Sequence, residues 1–136
     1  MNLEEDRFPI LLRGAWFGMN KAFRERIIKL GLTTSQYTIL RCLSENPGIS
    51  QDELTRLIGG NKNNASALVK RMVQAKLIIK RPKKADKRAY QLFLRSRGES
   101  AYKKASMEAI GLRKKIISSL PKASEEELIA LLNKCL

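Results

Sequence analysis

Residues 61–95 read NKNNASALVKRMVQAKLIIKRPKKADKRAYQLFLR, and a change of period inside this stretch decides the fold. From Asn61 to Ala75 the apolar residues recur at three- and four-residue steps. At about 100° per residue Ala65, Leu68, Val69 and Met72 fall on one side of a helix. From Leu77 the pattern switches to two β-prone runs, Leu77–Arg81 and Tyr90–Arg95, around a polar tip spanning Pro82–Arg88. Branched and aromatic residues on either side of such a tip predict a hairpin. A helix followed at once by a two-stranded wing is the frame on which the rest of the chain is placed.

Working outward, Phe8, Leu11, Leu12, Ala15, Trp16, Met19, Ala22, Phe23, Ile27 and Leu30 trace one amphipathic helix of about six turns, with Pro9 in its first turn and Gly31 as its stop. Four S/T-x-x-E/Q boxes predict helix starts: Thr33 with Gln36, Ser50 with Glu53, Ser96 with Glu99, and Ser124 with Glu127. The second helix carries Tyr37, Ile39, Leu40 and Leu43 and ends near Asn46-Pro47-Gly48. The third carries Leu54, Leu57 and Ile58 and stops at Gly59-Gly60. After the wing comes a long helix, Ala101 to Leu120, and beyond Pro121 a last helix bearing Leu128, Leu131, Leu132 and Leu136. The order is ααααββαα, mainly α with a small β-wing. It is expected to be one continuous fold with a winged helix-turn-helix over 32–98 and dimerisation helices over 1–31 and 99–136.

Charge locates the working surface. Of the 136 residues, 27 are Lys or Arg and 13 are Asp or Glu, a net of +14. Residues 60–98 hold twelve of the bases and a single acid, Asp86, so most of the excess is gathered in under a third of the chain. Such a concentration reads as a footprint for a polyanion, since neutralising phosphates releases condensed counterions. Helix N-termini favour acids, and four of the other helices are read as complying, but the fourth opens Asn61-Lys62-Asn63-Asn64 with none. Its outward face holds Asn63, Ser66, Ala67, Lys70 and Gln74, with Lys62 and Arg71 at the margins. Amides and cations without acids are what read base edges and phosphates in a major groove. The candidate DNA-contacting residues are therefore Lys62, Asn63, Asn64, Ser66, Ala67, Lys70 and Arg71, with Lys83, Lys84, Lys87 and Arg88 from the wing tip. Asp86 is expected to pair with Arg88 and orient it.

Other classes fall away. The chain has no histidine, which excludes His-built zinc sites and Ser-His triads. Cys42 and Cys135 form no CxxC motif, so no metal or other cofactor is expected, and no nucleophile–base pair supports an enzyme. No apolar run reaches the ~20 residues of a membrane span, and the opening Met-Asn-Leu-Glu-Glu-Asp is acidic where a secretory signal is basic. A cytoplasmic, nucleoid-associated protein is expected. The alternative to a sequence-specific regulator is a non-specific or architectural nucleic-acid binder using the same basic surface. Trp16, Met19, Phe23 and Tyr37 are read either as plain core or as the lining of a small-molecule pocket.

The sequence resembles the MarR family of bacterial and archaeal regulators. Leu32-Thr33-Thr34-Ser35-Gln36-Tyr37, Gln51-Asp52-Glu53-Leu54 and Leu68-Val69-Lys70-Arg71-Met72 are similar to the family's second, third and recognition helices, and Asp86-Lys87-Arg88 followed by Leu92, Leu94 and Arg97-Gly98 is similar to its wing. The resemblance implies a winged-helix homodimer joined by its terminal helices. Such a dimer binds double-stranded DNA at a pseudo-palindromic operator, usually as a repressor, and often answers to a small aromatic or anionic effector or to thiol oxidation. Lys76 stands where the family usually has glycine, so either it adopts a left-handed conformation or the turn differs.

Overall fold

The computed structural model describes residues 6–59 and 61–135, with Asp86, Lys87 and Arg88 described by their backbone alone. Gly60 and Leu136, read from sequence as part of a helix stop and of the last helix, lie outside the described residues. The elements are α1 (Phe8–Ile27), α2 (Thr34–Glu45), α3 (Gln51–Ile58), α4 (Lys62–Gln74), β1 (Ile78–Lys83), β2 (Asp86–Leu94), α5 (Ser96–Ile117) and α6 (Ser124–Lys134). The predicted order ααααββαα is the observed one. A single 3-10 turn, Ile28–Leu30, closes α1 and hands over to Gly31 at φ 74°, a left-handed conformation that costs glycine nothing.

Two of the four predicted boxes cap a helix. Thr33 and Gln36 satisfy each other's backbone amides reciprocally, and the Ser50 hydroxyl accepts from the Glu53 amide. Ser96 and Ser124 do not cap. The extended residue before α5 is Arg95, whose amide is already held by the Leu77 carbonyl at 3.0 Å, so Ser96 enters as the first helical residue. Ahead of α6, Ala123 is itself helical and the Ser124 amide turns back to the Pro121 carbonyl, which leaves no extended position for a cap. The long helix also ends at Ile117, earlier than the expected Leu120.

The core sits where α2, α3, α4 and the wing converge: Ile39, Leu40, Leu43, Leu54, Val69, Met72, Ile78 and Leu92 are buried, joined by Ile27 from α1 and Ala105 from α5. Leu57, read as part of the apolar face of α3, is instead exposed. β1 and β2 pair antiparallel, and the Ser50–Gln91 bridge fastens the stem of the wing to the start of α3. The expected polar tip is shorter than its sequence suggested. Pairing continues through Pro82↔Tyr90 to Lys83↔Asp86 with an irregularity between, leaving Lys84 and Ala85 as the turn. Proline is tolerated there because a two-stranded wing is all edge and needs no donor from it.

Lys76 resolves the question its sequence position raised. Its φ is 61°, its amide donates to the Val73 carbonyl, and the Leu77 amide donates to the Met72 carbonyl. This is a Schellman closure with a buried Met72–Leu77 apolar pair, made by a lysine at the position that favours glycine. Lys76→Gly is expected to stabilise the fold by about 0.5–1 kcal/mol, the relief of left-handed strain less the added freedom of the unfolded chain. Thermal unfolding should then shift up by roughly 2–4 °C. An unchanged or lower midpoint would show that Lys76 makes a compensating contact.

Candidate nucleic-acid interface

The fourth helix is anchored as its sequence requires. Asn61 is extended, and its side-chain oxygen accepts from the amides of Asn63 (2.7 Å) and Asn64 (3.3 Å). Ala65, Val69 and Met72 are buried and Leu68 half-buried, while Lys62, Asn63, Asn64, Ser66, Ala67, Lys70, Arg71 and Gln74 are exposed. The candidate residues of α4 thus lie along one solvent face of a helix whose opposite face is fixed in the core. Among the described residues, the ion pairs leave Lys70 and Arg71 without an acid, whereas Lys62 lies 3.9 Å from Asp52 at the start of α3.

Sequence reasoning missed the neighbour of this face. Asn64, Ala67 and Arg71 line a groove of about 400 Å³ together with Thr33, Ser35 and Gln36 from the N-terminus of α2. The first turn of α2, like that of α4, carries no acid, so fewer helices follow the capping preference than the sequence reading allowed. Two adjacent acid-free helix starts beside an arginine form a surface on which phosphate meets no carboxylate. The signal in the sequence is the acid-free run Thr34-Ser35-Gln36 behind the Thr33 cap.

On the wing, Lys83 and Lys84 are exposed at the turn, and Asp86 pairs with Lys83 through the backbone register. The side chains of Asp86, Lys87 and Arg88 lie outside the described residues, and the expected Asp86–Arg88 pairing with them. Two further cations project from the stem over aromatic rings. Lys80 Nζ sits 4.2 Å from the Tyr90 ring centre, and the Arg81 guanidinium 5.5 Å from that of Phe93.

Away from this surface, Trp16, Met19, Phe23 and Tyr37 come together. With Asn20, Arg41, Leu112, Arg113, Leu120 and Leu128 among others, they line a cavity of about 380 Å³ between α1, α2, α5 and α6. Phe23 meets Tyr37 edge-on at 4.8 Å, and Tyr37 stacks on Tyr102 at 5.8 Å. Trp16 remains 55% exposed, so plain core does not describe it within one chain. Cys42 is half-buried, and burial pushes its thiol above the ordinary value, which disfavours the thiolate that oxidants attack. Among the described residues no helix is long and apolar enough to cross a membrane.

A family model described as MarR family matches residues 30–89, from the end of α1 through α4 and most of the wing. YybA of Bacillus subtilis (strain 168), an uncharacterized HTH-type transcriptional regulator, is 29% identical over 105 residues, 77% of this chain and 70% of its own. A mutant MarR from E. coli complexed with operator DNA aligns with a TM-score of 0.87 at 19% identity, over 100% of this chain and 99% of that one. BpsR of Bordetella bronchiseptica, whose DNA binding is regulated by 6-hydroxynicotinic acid, aligns at 0.85 with 20% identity, over 96% and 98%. The backbone agreement spans the terminal helices as well as the winged domain, and the sequence match falls on the segment that carries the acid-free helix and the wing. Over residues 30–89 the chain is thus similar to the MarR family, and over its whole length it shares the fold of the MarR structure.

Proposed function

We propose that the protein is a sequence-specific, double-stranded-DNA-binding transcriptional regulator, acting as a homodimeric repressor on a pseudo-palindromic operator in the cytoplasm. It has no catalytic role of its own. The observation that carries this reading is the exposed, acid-free face of α4 set beside a basic wing. In a dimer two such helices enter successive major grooves about 34 Å apart, with Asn63 and Lys70 reading bases and the wing cations flanking them. Residues 1–31 and 99–136 supply the dimer face, because α1 and α6 leave large apolar side chains uncovered within one chain: Phe8, Leu11 and Phe17 on α1, Leu128 and Leu131 on α6. The Trp16 cavity is the effector site, taking a small aromatic anion; its two arginines and its rings match that chemistry, and 6-hydroxynicotinic acid plays a regulatory part for BpsR.

Arg88→Ala is expected to weaken binding to most sequences alike and to flatten the salt dependence by about one counterion. Asn63→Ala and Lys70→Ala should instead relax preference at one or two positions per half-site, by ~1–3 kcal/mol each. Selection from a randomised site library at two salt concentrations measures both effects. Loss of the core motif in Arg88→Ala, with the helix variants altering affinity alone, reverses these roles. A wild-type protein that selects no motif is an architectural binder.

A further inference from the structure

We propose that Glu125 is an internal stand-in for the anionic group of the effector, holding Arg113 and tying α6 to α5 until an anion displaces it. The inference rests on the reading of the Trp16 cavity as an effector site and says how occupancy is felt. The cavity has two cationic side chains, Arg41 and Arg113, and each already faces a carboxylate. The pairs differ in what they hold. Arg41 and Glu45 lie one turn apart on α2, Nε to Oε1 at 3.0 Å, so parting them moves no element. Arg113 and Glu125 join α5 to α6.

Arg113 also stands on a wall between two cavities. It lines the Trp16 cavity and a neighbouring one of about 520 Å³ that contains Lys114, Lys122 and Glu125 itself. Little else fastens α6: none of its described residues is buried, and Leu128, which lines the Trp16 cavity, stays 45% exposed. A ligand with an apolar ring and one carboxylate places its ring against Trp16 and Phe23 and its charge on Arg113. Glu125 is then released toward Lys114 and Lys122, which keep it from being left unpaired. A neutral ligand of the same shape fills the cavity but leaves the tie intact. The cavity thereby selects anions, and the selection moves a helix of the proposed dimer face.

Benzoate and its neutral isostere benzamide test this on the full chain. Trp16, the single tryptophan, reports binding, and amide hydrogen exchange over 124–134 reports α6. Benzoate is expected to quench Trp16 and speed exchange in α6, whereas benzamide leaves exchange unchanged. Glu125→Gln should bind benzoate about two- to fivefold more tightly, the range an exposed pair supports, leave benzamide binding as it was, and show fast α6 exchange with no ligand. If benzoate and benzamide quench alike and Glu125→Gln alters neither binding nor exchange, the cavity stands and the stand-in is overturned. If neither probe quenches either protein, the effector site fails and the stand-in falls with it.

Discussion

Replacing Leu11 and Leu131 together by glutamate is expected to yield a folded monomer that has lost about 10²- to 10⁴-fold of its operator affinity. Both side chains are more than half exposed in one chain, on α1 and α6, so the substitutions remove nothing from the buried core around Leu40, Leu54, Met72 and Leu92. Surface changes of this kind usually alter stability by no more than about 0.5 kcal/mol. In the proposed dimer the same positions are covered, and an uncompensated carboxylate in an apolar interface is strongly unfavourable. The affinity loss follows from valency. Once one winged domain is seated, its twin is held near the second half-site at millimolar effective concentration, and a monomer forgoes that gain. Light scattering at micromolar concentration should give about twice the chain mass for the wild type and the single chain mass for the variant, with helical circular dichroism retained. A wild-type monomer, or a monomeric variant with full affinity, removes the paired-groove mechanism; a variant that stays dimeric moves the dimer face away from Leu11 and Leu131.

That contrast between a well-buried core around the wing and incompletely covered terminal helices was only half legible in the sequence. The switch from helical to strand period at Leu77, the Asn61 cap and the inward set Ala65, Leu68, Val69 and Met72 are local facts, and local facts survive folding. Positions fixed by distant partners did not show. Ser96 looks like a cap, yet the Leu77 carbonyl nineteen residues earlier holds the Arg95 amide and sets where α5 begins. The wing turn shrank to Lys84-Ala85 because cross-strand pairing carried residues of low β-propensity into the ladder. Ser35 and Gln36 acquired a place beside Arg71 only through α3, which packs against both α2 and α4. In the cavity, the aromatic lining was visible as a helical stripe, while Arg41, Arg113 and Leu128 come from faces that the period alone does not bring together.

The same contact at Leu77 makes Gly98→Ala the most destabilising single substitution expected here, by about 3 kcal/mol. A Cβ at Gly98 falls 2.1 Å from the Leu77 carbonyl oxygen and 3.0 Å from its carbon. Neither atom is free to retreat. The carbonyl accepts from Arg95 at 3.0 Å, the Leu77 amide closes α4 on Met72, and the Leu77 side chain is buried. Overpacking against fixed backbone typically costs 1–3 kcal/mol and sometimes more, whereas alanine over glycine inside a helix returns about 1. The expected loss therefore sits at the upper end, roughly 10 °C in thermal midpoint for a domain of this size. Gly111→Ala in the same helix is the control. Its Cβ would meet only the tip of the Arg26 side chain at 3.2 Å, which can swing aside, so the helical gain of about 0.5 kcal/mol should prevail. Opposite signs for one substitution at two points of α5 would locate the constraint at the junction of α4, wing and α5. Because the Leu77 backbone at that junction also closes the end of α4, Gly98→Ala should also weaken operator binding at temperatures where the protein is still folded. Equal effects at the two glycines would mean that α5 passes the wing loosely and that the Leu77 junction does not constrain α4 by this route.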